Sequence, residues 1–236
     1  MPKLRVLSAG APKTGVRLCT EAHCRAKGQP FVIEFATAPK IRELVALGGD
    51  YADVVVAPRA SIQTFIANGT VVDGSVVPLG SVSTGIAVKV GAQEPDISTV
   101  SALRTTLQSA NKLVFNTASS GEHISNVIER LGLTEATKNK VVRTHNGAEV
   151  LQHIAADDAS GAIGFGQITE IRLHEYLGVR LVGPLPGEFG KTTYYAAALL
   201  SYSSRTAHAE GLLAFFTAVE GKAILTDAGL TQENHL

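Results

Sequence analysis

Five times in 236 residues a short apolar run stops at a turn rich in glycine, serine, threonine or alanine, and a helical pattern follows at once. The turns lie at 8–13, 36–39, 116–121, 144–147 and 166–170. The fullest is Asn116-Thr117-Ala118-Ser119-Ser120-Gly121-Glu122-His123, which ends Leu113-Val114-Phe115 and opens the pattern Ile124, Val127, Ile128, Leu131. Strand, turn and helix in that order gather unpaired N–H groups, the positive end of a helix dipole and several hydroxyls at one spot, which suits an anion. The competing reading is a plain N-cap, with Ser119 or Ser120 closing the helix end.

Strands separated by helices imply parallel pairing with both sheet faces covered, and so an α/β fold. The pattern predicts strands at 4–7, 31–35 and 52–57, with helices at 16–27, 40–47 and 61–67 between and after them. Val71 to Leu79 reads as an extended connection, followed by a strand at 83–90 and a helix at 100–108 capped by the loop 91–99. A second series follows: strand 113–115, a helix to Leu131, strand 141–143, helix 148–156, strand 162–166, strand 179–182, and a return strand at 193–200. Two helices, 208–220 and 221–228, close the chain.

Charge and hydropathy narrow the function. Twenty-one basic residues balance twenty-one acidic ones, with no basic run interleaved with aromatics, which argues against nucleic acid as a partner. The longest apolar runs fall far short of the roughly 20 residues of a membrane span, so no direct membrane insertion is expected. After Met1-Pro2-Lys3 the chain enters Leu4-Arg5-Val6-Leu7 with no signal-peptide core. This is the pattern of a cytoplasmic chain, or of a periplasmic one whose leader has been removed. Cys19 and Cys24 lie five apart on one predicted helix, on different faces, and read as free thiols; with His23 they lack the convergence of a metal site. No Gly-x-Ser-x-Gly elbow, His-Glu-x-x-His, Walker loop or dinucleotide fingerprint is found, so no metal or cofactor is expected.

In an open parallel sheet, ligands sit beyond the carboxyl ends of the strands, where the five turns lie. Helix N-termini collected there form an electropositive place lined by neutral donors.

The order of these turns, with Phe35-Ala36-Thr37-Ala38, Gly49-Asp50-Tyr51-Ala52-Asp53-Val54-Val55, Gly91-Ala92 through Pro95-Asp96-Ile97-Ser98-Thr99, and Val182-Gly183-Pro184-Leu185-Pro186, resembles the molybdate-binding-protein-like substrate-binding proteins of ABC transporters. The resemblance covers essentially the whole chain. It implies a two-lobed, type II periplasmic-binding-protein-like α/β fold, with mostly parallel sheets, helices on both faces and an anion in an inter-lobe cleft. Residues 1–84 and 193–236 would form one lobe and 85–192 the other. Family contacts carried onto this chain fall at Gly10, Ala11, Thr37, Ala38, Ser119, Ser120, Gly147 and Gln167. Thr84 and Tyr194, at the segments joining the lobes, complete the expected set.

The chain departs from the molybdate pattern. That pattern places serines in both of the first two turns and a tyrosine near Gln167, whereas here stand Gly10-Ala11, Thr37-Ala38 and Gln167. Neutral donors are lost and Lys13, a formal cation, stands beside the first turn, which suits a carboxylate. The expectation is therefore a monomeric binding protein for a small organic anion, partnered by an ABC-transporter permease. Molybdate or tungstate binding is a further alternative, and a ligand-sensing regulatory module another. Aconitate isomerase resembles the same family, so a cofactor-independent isomerase of small unsaturated carboxylates is the enzymatic alternative. It would need a base among Glu122, His123, His145 and Glu170.

Overall fold

The computed structural model describes residues 2–117, 119–159 and 161–232, and of Ser119 the backbone only. In chain order the elements are β1 (Leu4–Ala9), α1 (Lys13–Lys27), β2 (Phe31–Ala36), α2 (Ala38–Leu47), β3 (Val54–Pro58), α3 (Arg59–Ala67) and β4 (Val77–Lys89). Then come α4 (Val100–Ser109), β5 (Lys112–Asn116), α5 (Ser119–Arg130), α6 (Thr134–Thr137), β6 (Val141–Thr144), α7 (Gly147–Ala155), β7 (Ala162–Gln167) and α8 (Ile168–Leu173). The chain closes with β8 (Val179–Pro184), β9 (Thr192–Leu199), α9 (Thr206–Thr217) and α10 (Val219–Asp227). They group into two units, Met1–Val82 with Thr193–Leu236, and Ser83–Thr192.

In the first unit β1 pairs in parallel with both β2 and β3, while β9 runs antiparallel to β3. Val54, Val55 and Val56 are wholly buried, as expected of a strand covered on both faces. Helix α1 starts at Lys13, a turn earlier than the expected Val16. Lys13-Thr14-Gly15 was expected as turn because of its glycine, but Gly15 lies inside the helix for a packing reason. A Cβ there would fall 2.9 Å from Leu225 Cδ2 and 3.3 Å from Ala228 Cβ, so the glycine lets α1 close against α10.

Asp53, wholly buried at the start of β3, anchors this unit. Its carboxylate accepts the Arg5 N–H at 2.8 Å, the Ser203 hydroxyl at 2.6 Å and Arg205 Nε at 2.8 Å. Arg205 also pairs with Asp50, which holds the Asp50 carboxyl below its usual range. The Gly-Asp-x-Ala-Asp run thus ties the return segment to β1 and to the start of β3. Cys19 is buried and free, and burial, aided by nearby Glu220, pushes its thiol up to about 12, leaving an inert packing group.

In the second unit β5 pairs in parallel with β6 and β7, and β4 runs antiparallel to β7 and β8. The sheets thus combine the expected parallel pairs with antiparallel ones made by β4 and β9. Strand alternation divides the core: Leu113 and Phe115 pack with Leu103, Leu107, Ile124 and Val127 on one face, Val114 with Val150, Ile154 and Ile171 on the other. β4 starts at Val77, so only the end of the expected extended connection, Val77 to Leu79, is strand. α6 was not anticipated from the sequence.

Two outcomes are expected. Asp53→Asn takes the buried carboxylate from Arg205, which keeps its pair with Asp50, and should cost about 1.5–3 kcal/mol in urea unfolding. Burial, with Lys27 and His208 nearby, lowers the pKa of His23 from 6.5. Below pH 6.5 the unfolded chain then binds more protons than the folded one, so stability should fall as pH drops through that value, and the slope should flatten in His23→Gln.

Candidate functional site

Parallel strands joined by helices bring their carboxyl ends, and the following helix N-termini, to one edge of each unit's sheet. In the first unit the β1–β2 register pairs Ala9 with Ala36, so the turns carrying Gly10-Ala11 and Thr37-Ala38 begin side by side. Pro58, ending β3, pairs with Tyr195 of β9, which brings Tyr194 to the same edge. Gly10, Ala11, Lys13, Thr37, Ala38 and Tyr194 thus share one edge. Thr37 is the N-cap of α2 but its side chain makes no capping bond.

The first turns of α1, α2 and α3 hold no acidic residue, and two of them begin with a cation. Lys13 occupies the first position of the 15-residue α1. No ion pair or hydrogen bond of its ammonium is found among the described residues. A cation there opposes the helix dipole by about 0.3–1 kcal/mol, a cost that a bound anion would reverse. Arg59 begins α3, its guanidinium 5.5 Å from the centroid of the Tyr194 ring. Sequence reasoning missed Arg59 because the turn after β3, Pro58-Arg59, lacks glycine and hydroxyl residues; its place after the third parallel strand was the available signal.

The second unit's edge is built differently. Thr84 pairs with Gln167 across β4 and β7. Thr84 is wholly buried, and among the described residues neither its Oγ1 nor Gln167 Oε1 has a hydrogen-bond partner. Buried polar atoms are nearly always paired, so two orphans side by side mark a place where a polar group is accommodated. At the start of α5, Asn116 Oδ1 accepts the Gly121 N–H at 3.2 Å, and its amide exchanges a hydrogen bond with the Ser120 hydroxyl. Part of the α5 helix end is therefore satisfied from within. The Ser119 side chain lies outside the described residues. Arg143, also missed, donates to Asn116 O at 3.2 Å and lies over the Phe115 ring, adding a cation beside this turn.

Helix α7 begins at Gly147, with Asn146 and Glu149 closing a capping box. The carboxylate of Glu170 packs directly on Gly147: a Cβ there would lie 2.1 Å from Oε2. Each helix start on this edge carries an acid, Glu122, Glu149 or Glu170, in contrast to the first unit. Of the candidate bases, His123 is tied by Nε2 to Phe189 O at 2.9 Å, and Glu122 and His145 are exposed. Glu170 alone among the four lies against another candidate residue, Gly147. A cavity of about 380 Å³, lined by Val88, Asp96 and Ala162, opens at the opposite ends of these strands, away from the candidate residues.

Together the mixed α/β units define a periplasmic-binding-protein-like fold. The pattern of the bacterial extracellular solute-binding proteins matches residues 4–231, and the chain belongs to that family. It is similar to an aconitate isomerase of Pseudomonas sp., 28% identical over 96% of this chain and 87% of that protein. Its fold is similar to the periplasmic molybdate-binding protein of Azotobacter vinelandii, with a TM-score of 0.72 and 16% identity over 98% of this chain and all of that one. It is likewise similar to the sulfate-binding protein SubI of Mycobacterium tuberculosis, with a TM-score of 0.71 and 16% identity over 100% and 88% of the two chains.

Two glycines at these helix starts should respond differently to alanine. In Gly121→Ala the Cβ would lie 1.7 Å from the Asn116 carbonyl oxygen, a backbone atom. We expect marked loss of thermal stability. In Gly147→Ala the obstacle is the end of a flexible side chain, which can swing aside, so the melting temperature should change little. Equal losses in the two variants would contradict this reading.

Proposed function

We propose that the protein is the solute-binding component of an ABC transporter, acting outside the cytoplasmic membrane with a permease, and that its ligand is a small organic carboxylate. The observation that carries this is Lys13 at the first position of α1, a cation at the positive end of a helix for which no ion pair is found among the described residues. Such an arrangement is tolerated where an anion completes it. Family membership supports the transport role. The ligand set proposed is Gly10, Ala11, Lys13, Thr37, Ala38, Thr84, Ser119, Ser120, Gly147, Gln167 and Tyr194, with Arg59 and Arg143 adding charge beside it.

A second reading is an isomerase of small unsaturated carboxylates, favoured by the similarity to an aconitate isomerase. Glu170 would then be the base, since no hydrogen-bond donor to its carboxylate is found among the described residues. Proton removal next to a carboxylate would further require donors for the charge that develops.

A thermal-shift screen with molybdate, tungstate, sulfate, phosphate and di- and tricarboxylates tests both readings, because a ligand that binds only the folded state raises its melting temperature. Stabilisation by a carboxylate that NMR shows unchanged supports the binding protein; slow appearance of an isomer supports the enzyme; stabilisation by molybdate alone contradicts both. Lys13→Gln should leave the melting temperature of the free protein equal or slightly raised while weakening carboxylate binding about tenfold or more. Unchanged affinity would remove Lys13 from the site.

A further inference from the structure

The two orphaned polar atoms and the carboxylate of Glu170 all belong to the second unit. Gln167 ends β7, faces buried Thr84 across the ladder, and is followed three residues later by Glu170. Glu170 in turn covers Gly147, the first residue of α7. The chain's own anion therefore stands at a helix start where the proposed ligand would otherwise find a positive partial charge.

Consider what such an edge accepts. A tetrahedral dianion such as molybdate or sulfate has only charged acceptor oxygens and nothing to donate. Beside Glu170 it meets a like charge, and it cannot hydrogen-bond to the Gln167 carbonyl oxygen. A neutral hydroxyl is suited to all three groups: it donates to the carboxylate or to Gln167 Oε1, and accepts from the Thr84 hydroxyl. Resting on the anion-binding reading above, we infer that Glu170 sets the ligand class of this site, excluding tetrahedral dianions and selecting organic acids that carry a hydroxyl, which Thr84 and Gln167 read alongside it.

The contrast between the two units fits this division of labour. The first unit's helix starts carry Lys13 and Arg59 and no acid, suited to a carboxylate. The second unit's carry Glu122, Glu149 and Glu170, suited to a neutral, donating group.

Two matched pairs differ only by a hydroxyl: malate against succinate, and citrate against tricarballylate. Calorimetric titration of each, and of molybdate, is made with the wild-type protein and with Glu170→Gln, whose half-buried carboxamide keeps the side chain's shape. The wild-type protein should bind the hydroxylated member of at least one pair about tenfold more tightly, the worth of one hydrogen bond to a charged group, and should not bind molybdate. Glu170→Gln should reduce the hydroxyl preference to below about threefold and gain measurable molybdate binding. A circular dichroism melt unchanged from wild type excludes misfolding as the cause. Wild-type binding of carboxylates with no hydroxyl preference, or ratios unaltered in Glu170→Gln, overturns this inference and leaves the anion-binding reading standing. A wild-type protein that binds none of these probes overturns both.

Discussion

A parallel strand reaches its neighbour only through a crossover, so every helix that follows such a strand starts at the same edge of the sheet. That constraint decides what each unit can do. It delivers the N-termini of α1, α2 and α3 to one edge of the first unit, and those of α5, α7 and α8 to one edge of the second. Positive partial charge is thereby concentrated without a binding residue being specified, and side chains then tune it. In the first unit Lys13 and Arg59 add to the charge; in the second Glu122, Glu149 and Glu170 cancel it.

The scaffold is rigid where this tuning requires it. Asp53 is buried with Arg205 against it, and their hydrogen bonds fasten the return segment to β1 and the start of β3. A buried ion pair adds little net stability over an apolar replacement, but losing one partner is costly, so the Gly-Asp-x-Ala-Asp run is read here as architecture rather than ligand contact. Gly15 and Gly121 are fixed by close approach, one to α10 and the other to the Asn116 carbonyl.

The alternation of apolar runs and small-residue turns made the α/β class and the helix starts legible, because those signals are local. The misreadings were long-range. Lys13-Thr14-Gly15 looked like a turn until Leu225 and Ala228, two hundred residues away, explained the glycine. The contact between Glu170 and Gly147 joins two turns whose sequence separation hides it, and the pairing of Thr84 with Gln167 depends on an antiparallel register that no local pattern announces. Arg59 was passed over because its turn has none of the small residues that marked the others. Asn116 was seen as part of a turn, yet its amide satisfies the helix end that the serines were expected to serve.

The central claim is that the carboxylate of an organic acid completes the positive edge made by Lys13 and its neighbours. A crystal structure with the most stabilising organic acid tests it most directly. The account predicts a carboxylate oxygen within ion-pair distance of Lys13 Nζ. A ligand seated with its carboxylate against Glu170, or bound away from Lys13, would contradict it.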